Sequence, residues 1–441
     1  MISPASSQGA APHMPTPPES SSPFNRTAQH DAKRLAILSQ ASRLFNSKGS
    51  RATTLQDVAQ SLGLTKTSLY YYVKTKEDLI YRCYMAALAH HHQHLDEIEA
   101  KYDDPRDRCA ALLYRHFDMW AAAKTGRGPY IAALLEIASL KGARREEVEA
   151  RYVEMFKRIR RYLRDGVAQG VFRDCEPAAT TRAILGSLEW TFSWLHDIPQ
   201  EQVDETARAA LDILTRGLYQ GEGEHQPSPL HHEDESPALT PGFDRKQQKR
   251  LKQEAFYKTG TLCFNQQGFK GTSLDEIAER LNVSKGAFYY HIKNKEYLLF
   301  NCYNRSLDIV ENIHQRAAAL PGSGLQKLEY ICRNIFQVQT SNEGPLIRYN
   351  TITALPAKRR RQVLDRTEAT NRSFEAFIQD GIKDGSVREI DTIVARNLFA
   401  GATNAAMNIG RWIKASDTDQ AATEYFDIFF NGLLPDSTVS Q

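Results

Sequence analysis

Residues 54–79 read Thr-Leu-Gln-Asp-Val-Ala-Gln-Ser-Leu-Gly-Leu-Thr-Lys-Thr-Ser-Leu-Tyr-Tyr-Tyr-Val-Lys-Thr-Lys-Glu-Asp-Leu. Thr54 suits a helix N-cap, with Asp57 three residues on as its reciprocal partner. The short helix that follows runs to Leu62. Gly63 then permits a left-handed turn, and Thr65 caps a second short helix through Tyr72. Val58, Ala59, Leu62, Leu64 and Leu69 fall where two crossing helices meet, and Ala59 is small where they approach. Spacing and residue type together predict a helix-turn-helix.

The same pattern returns 219 residues later. Phe45-Asn46 falls on Phe264-Asn265, Gly49 on Gly268, Tyr70-Tyr71 on Tyr289-Tyr290, Lys76-Glu77 on Lys295-Glu296, and Cys83-Tyr84 on Cys302-Tyr303. Ser273 and Glu276 take the cap positions, and Asn282 stands at the turn in place of Gly63. Between residues 44 and 84 there are 16 identities in 41 ungapped positions. Farther on, Asp165-Gly166 matches Asp380-Gly381, and Gly186 matches Gly401. A whole block is duplicated, which argues for two domains of one kind and not for a solenoid.

Outside the blocks the composition changes. Residues 1–30 hold six of the 18 prolines and read as a disordered arm; residues 221–244 are rich in Gly, Pro and acid and read as a linker. The expected division is 31–84 and 245–303 as helix-turn-helix domains, 85–220 and 304–436 as larger helical domains, and 437–441 as a tail. Apolar residues recur at helical spacing, as in Leu112, Leu113, Phe117 and Trp120, and no segment alternates as a strand does. The fold class expected is all-α.

The run at 54–79, repeated at 273–298, resembles the DNA-binding domain of the tetracycline-repressor (TetR) family. The resemblance extends over both blocks and implies two tandem TetR-like units. Each would carry an N-terminal DNA-binding domain and a helical ligand-binding and dimerisation bundle. The last two helices of each bundle, 178–197 with 203–219 and 392–413 with 420–433, would pair with those of a second copy. The tandem arrangement is a departure from the single block of most members. It leaves open an internal pseudo-dimer or a homodimer of tandem chains.

Charge agrees with DNA as partner. Net charge is only +3, yet Lys and Arg exceed Asp and Glu by five in 31–84 and by six in 245–303, leaving the remainder acidic. Position assigns base-facing roles to Lys66, Thr67, Ser68, Tyr71 and Tyr72, and to Lys285, Gly286, Ala287, Tyr290 and His291. Gln56 and Asp275 reach the groove by resemblance. Tyr70 and Tyr289 pack or touch phosphate. Lys76, Lys295, Thr54 and Ser273 suit phosphate contacts. Because the two recognition helices differ, two unlike half-sites are expected.

Other features are weighed against plainer explanations. His90, His91, His92 and His94 cluster without a completing ligand set, so no metal is expected. Cys83 and Cys302 read as buried packing, with redox sensing as the alternative. Lys358-Arg359-Arg360-Arg361 reads as a solvated helix start or as a partner for the phosphates of an acyl-CoA. Phe117, Trp120, Phe156, Trp190, Phe192 and Trp194 in the first block, and Phe336, Tyr349, Phe374, Phe377, Phe399 and Trp412 in the second, are core or effector-cavity candidates. No G-x-S-x-G, phosphate loop or H-E-x-x-H is present, so an enzyme on a helical scaffold is the remote alternative. No apolar run suffices for a membrane helix and no signal peptide leads the chain, so a cytoplasmic protein is expected. No cofactor is expected. The expected function is a ligand-released repressor, with a ligand sensor bearing one degenerate DNA-binding unit as the alternative.

Overall fold

The computed structural model describes residues 23–134, 137–228, 245–339, 341, 343–406 and 418–435. Among these, helices dominate, and the only pairing of extended backbone is an isolated antiparallel bridge between Tyr219 and Val387. The first unit comprises α1 (Pro23–Ala52), α2 (Leu55–Ser61), α3 (Lys66–Tyr72), α4 (Lys76–Lys101), α5 (Pro105–Lys124), α6 (Gly142–Ala168), α7 (Pro177–Glu189) and α8 (Val203–Arg216). The second repeats the order with α9 (Arg245–Gly271), α10 (Leu274–Arg280), α11 (Lys285–His291), α12 (Lys295–Ala319), α13 (Gly324–Val338), α14 (Ala357–Asp384), α15 (Thr392–Ala406) and α16 (Thr418–Asn431).

Two expectations at the edges shift. α1 begins at Pro23, inside the stretch read as a disordered arm. Pro is tolerated in a first turn, and His30 on this added length stacks on Tyr72 and meets Tyr71 edge-on. The linker is also anchored at its start. His225 N–H donates to Asn431 Oδ1 at 2.6 Å, its ring lies 3.1 Å from Glu329 Oε2, and Arg333 donates to Ser228 O. Glu329 and Arg333 are themselves a buried pair, so the first residues after the first unit are held to the second by partners sequence composition does not reveal.

The helix-turn-helix of the first unit packs in one apolar core with α4 and α6, that of the second in another with α12 and residues 347–355, and the bundles share a third. Residues from α5, α7 and α8 and from α12 to α16 form a continuous buried cluster. At its centre α7 lies on α15, with α8 and α16 flanking. Small residues allow the approach: a Cβ on Gly401 would stand 2.6 Å from Gly186 O, and a Cβ on Gly186 would collide with Ala405. Ser187 Oγ donates to Leu398 O across the junction at 2.8 Å. α7 ends at Glu189, sooner than expected, and continues as a short 3-10 turn, Thr191–Ser193. The expected 392–413 helix is described only to Ala406, because 407–417 lies outside the described residues.

The helix ends beyond α8 and α16 exchange backbone hydrogen bonds. Leu218 N–H reaches Phe429 O at 2.8 Å, and Leu433 N–H reaches Thr215 O at 2.9 Å. Gly217 and Gly432 sit at φ +69° and +70°, where a side chain on either would strike the other's backbone.

Candidate DNA interface and effector cavities

In the first unit Thr54 and Asp57 form the reciprocal cap, with Asp57 Oδ2 accepting from Thr54 N at 2.7 Å and Thr54 Oγ1 accepting from Asp57 N at 3.1 Å. The hydrogen bonds hold the Asp57 carboxyl below its ordinary pKa. In the second unit only half of this device forms. Ser273 accepts from Glu276 N, but the Glu276 carboxylate turns to Gln267 and Arg280. A glutamate, one methylene longer than Asp57, reaches these neighbours. The turns match: Gly63 lies at φ +65° and Asn282 at +51°, and Leu64 N–H and Val283 N–H return to Ala59 O and Ala278 O. Val58, Ala59 and Leu69 are buried in the first seam, and Ile277, Ala278 and Phe288 in the second.

With Leu69 and Phe288 turned inward, α3 and α11 expose their opposite face. Lys66, Thr67, Ser68 and Tyr70 are exposed, as are Lys285, Gly286, Ala287 and Tyr289. Tyr71 and Tyr290 are 71% and 80% exposed, unusual for aromatic rings without a partner in place. Tyr72 and His291 are half-buried against His30 and Phe256. Thr54 and Gln56 flank this face.

The two faces differ electrostatically. Lys285 Nζ lies 2.7 Å from Asp275 Oδ2, and Tyr289 OH donates to Asp275 Oδ1 at 3.2 Å. The lysine lowers the aspartate's pKa and the aspartate raises the lysine's. The first unit has Gln56 at the place of Asp275, and Lys66 stands over the Tyr70 ring at 5.7 Å. Of the lysines that open the next helices, Lys295 departs from expectation. Lys295 donates its ammonium to Phe269 O and Thr272 O and sits over the Phe269 ring, so backbone carbonyls hold the charge expected for a phosphate. Lys76 is half-buried at the start of α4.

Each bundle holds a partly open cavity. Cavity one is lined within the first unit by His91, His94, His116, Trp120, Met155 and the stretch Ile131 to Leu134, among others. Burial pushes the imidazole pKa values down to about 3 for His91 and about 4 for His94 and His116, so the rings are neutral. The Trp120 indole N–H is buried there without a protein acceptor. Cavity two is lined by Tyr303, His314, Leu346, Ile347, Tyr349, Phe374, Arg396, Phe399 and neighbours, and by Trp190 of the first unit.

Of the aromatic candidates, Trp120 lines cavity one, and Tyr349, Phe374 and Phe399 line cavity two. Trp190, expected in the first unit's cavity, closes the second's, meeting Tyr349 edge-on at 5.3 Å. Phe117 and Trp194 pack on each other, Phe336 packs on Tyr425, and Phe377 packs on His314. These four belong to the core. Trp412 lies outside the described residues. Among the described residues no cluster of metal-ligating side chains occurs. Cys83 and Cys302 are buried, and burial pushes both thiols up to about 12, which leaves no reactive thiolate. The basic run lies away from both cavities: Arg359 stands over Tyr297 and Phe300.

Comparison with known proteins follows the division into units. The family described as bacterial regulatory proteins, tetR family, matches residues 37–83 and 257–302. The tetracyclin repressor-like C-terminal domain matches 102–218 and 321–433. The Tn10 TetC protein of Escherichia coli is 26% identical over 148 residues, covering 34% of this chain and 74% of TetC. The transcriptional repressor KstR2 of Rhodococcus jostii is 25% identical over 205 residues, 46% of this chain and 97% of KstR2. Among solved structures, PfmR from Thermus thermophilus is 30% identical, covers 40% of this chain and 95% of its own, and aligns with a TM-score of 0.35. No described helix is long and apolar enough to cross a membrane.

Proposed function

This chain belongs to the TetR family of DNA-binding transcriptional regulators, and we propose that it is a repressor in which one chain does the work of a dimer. Its two recognition helices read one operator with unlike half-sites, and a small apolar or amphipathic effector in the bundles releases it. The protein acts in the cytoplasm, on double-stranded DNA. The observation carrying this reading is the shared core of α7, α8, α15 and α16, which gives the chain internal two-fold character. A two-fold reader suits a palindrome, and differing reading faces make its halves unlike. The tether keeps the units together at any protein concentration.

The two cavities support effector release, being apolar over most of their walls with a few polar groups, among them Arg115 and Glu189 in cavity one and Arg396 in cavity two. Acyl-coenzyme A compounds belong in the first ligand screen beside free fatty acids. Among the described residues a single arginine lines each cavity, Arg115 in one and Arg396 in the other, which favours the less charged ligands. A second reading rests on Asp275. Its hold on Lys285 weakens the second reading face and favours a sensor that binds DNA mainly through the first unit.

The deciding experiment selects a duplex from a random library with the full chain, then measures the mass of the complex by light scattering and its footprint. One chain on one imperfect palindrome supports the proposal. Two chains over a doubled footprint, or protection of a single half-site, overturns it.

A further inference from the structure

Asn46 and Asn265 occupy equivalent places near the ends of α1 and α9, and each grips the wall of its unit's cavity. Asn46 Nδ2 donates to Ile131 O at 2.8 Å, and its Oδ1 accepts from Ala133 N at 2.9 Å. Asn265 Nδ2 donates to Leu346 O at 2.8 Å, and its Oδ1 accepts from Arg348 N at 2.9 Å. The gripped stretches are not helical, and their residues face the cavities: Ile131, Ala132 and Ala133 in one, Leu346 and Ile347 in the other. A side-chain amide offers a donor and an acceptor on two separate atoms of one planar group, and asparagine has the shorter reach of the two amide residues.

The other side of each clamp leads to the reading head. Thr53 Oγ1 donates to Leu44 O and Gly49 O, either side of Asn46, and Thr272 Oγ1 donates to Gly268 O just after Asn265. The next residues, Thr54 and Ser273, cap α2 and α10. A shift of the cavity wall therefore passes through one side chain to the helix that seats the recognition helix. The walls also extend across the molecule. Ile137–Ser139 lies against α9, and the turn Tyr349–Ala354 lies against α1, where Thr353 fills the space beside Gly49.

We propose that Asn46 and Asn265 are the positioning residues that transmit the state of each cavity to the DNA-binding units. This rests on the effector-released repressor proposed above. Coupling is reciprocal, so DNA bound at α3 and α11 must act back on the cavity walls through the same side chains.

Hydrogen–deuterium exchange on the full chain tests this without an effector, using the selected duplex as the probe. In the wild type the duplex slows exchange of residues 130–134 and 346–349 by about fivefold or more, the lower range of a typical coupling. Asn265→Ala keeps the DNA affinity and the protection of α10 and α11, but loses the slowing at 346–349 and keeps it at 130–134. Asn46→Ala gives the mirror result. Should either alanine variant melt at the assay temperature, the isosteric Asn46→Asp and Asn265→Asp, which lose the donor and add a charge, are judged by the same criterion. Slowing that persists in the variants, or is absent from a wild type bound to DNA, overturns the coupling role. Failure to select any duplex overturns the DNA-binding reading instead.

Discussion

Arg173 and Arg388 make the same contacts in opposite directions across the junction of the two units. Arg388 donates to Gly217 O at 2.6 Å and pairs with Asp212 at 2.6 Å. Arg173 donates to Gly432 O at 2.7 Å and pairs with Asp427. Both guanidinium groups are largely buried, and each satisfies the last carbonyls of a helix that belongs to the other half of the chain.

Removing either arginine leaves a carbonyl and a carboxylate without their donor. Arg388→Ala is expected to cost about 2–3 kcal/mol, below the usual range for a fully buried pair because Asp212 is partly solvated. Arg173→Ala should cost a similar amount. The double variant should cost less than the sum if the first loss already loosens the junction. Urea titrations of the three variants measure this, and small-angle scattering of the double variant should show a larger radius of gyration. An unchanged denaturation midpoint in all three would show that the junction does not depend on the arginines.

These arginines also mark where sequence reading stopped. Both stand seven residues after the glycine of a repeated Asp-Gly pair, Gly166 and Gly381, so the repeat included them. Nothing local shows that their partners lie in the other block. The helix-turn-helix was legible because its information is local: caps, a left-handed turn residue and a small residue at the crossing all fall within 26 positions, and Asn282 took the turn as expected. The exposed face of α3 and α11 was legible in its residues but not in its charge state. Asp275 and Lys285 are ten positions apart on different helices, and their pairing depends on the crossing geometry. Trp190 was recognised as a cavity candidate but placed in the wrong unit, because aromatic spacing says nothing of which cavity a helix end enters.

Asp275→Asn should strengthen DNA binding. The substitution removes the carboxylate that holds Lys285, freeing the ammonium for the duplex. If the freed charge meets a phosphate, the slope of log K against log salt steepens by about 0.9. Lys66→Ala should weaken binding more than Lys285→Ala does in the wild-type background. Filter binding across a salt series measures all three. An Asp275→Asn variant with unchanged affinity and slope would mean that Lys285 does not approach DNA.

Lys295 should act more on stability than on the salt slope in the same assay. Lys295→Ala deletes hydrogen bonds to Phe269 O and Thr272 O, so its main effect is on stability, about 1–3 kcal/mol for the charge-assisted bonds lost. Lys76→Ala should reduce affinity for all sequences alike and flatten the salt slope by about one unit. Equal loss of slope in both variants would contradict the structural role given to Lys295.

Acid should destabilise the first bundle through His91 and His116. Their folded-state pKa values, about 3 and about 4, lie below the unfolded value. The unfolded chain therefore binds protons that the folded chain refuses as pH falls below about 6.5, and stability drops between there and about pH 4. At pH 5 the loss is about 2 kcal/mol for each ring. Melting temperatures from pH 7.5 to 5 measure the slope. His116→Gln, which retains a group able to meet Thr191 Oγ1, now 2.7 Å from the ring, should remove one ring's share. An equal slope in the variant would rule His116 out as a source.

Trp190 makes the two cavities unequal. It stands at the repeat position of Ala405, four residues after Gly186 as Ala405 is four after Gly401. The indole therefore enters cavity two from the first unit, and among the described residues none of the second unit lines cavity one. Trp190→Phe keeps an aromatic edge toward Tyr349, whereas Trp190→Ala opens the wall and should destabilise the junction by about 3–5 kcal/mol, as large-to-small core changes do. An environment-sensitive probe such as 8-anilinonaphthalene-1-sulfonate, titrated into the folded full-length variants, reads the cavities directly. The wild type should bind at two sites of different affinity. Trp190→Ala should alter one site by about tenfold, equal to 1.4 kcal/mol, while the other holds its affinity and its sensitivity to His91→Phe. A change at both sites, or at neither, would show that Trp190 is not a wall of cavity two alone.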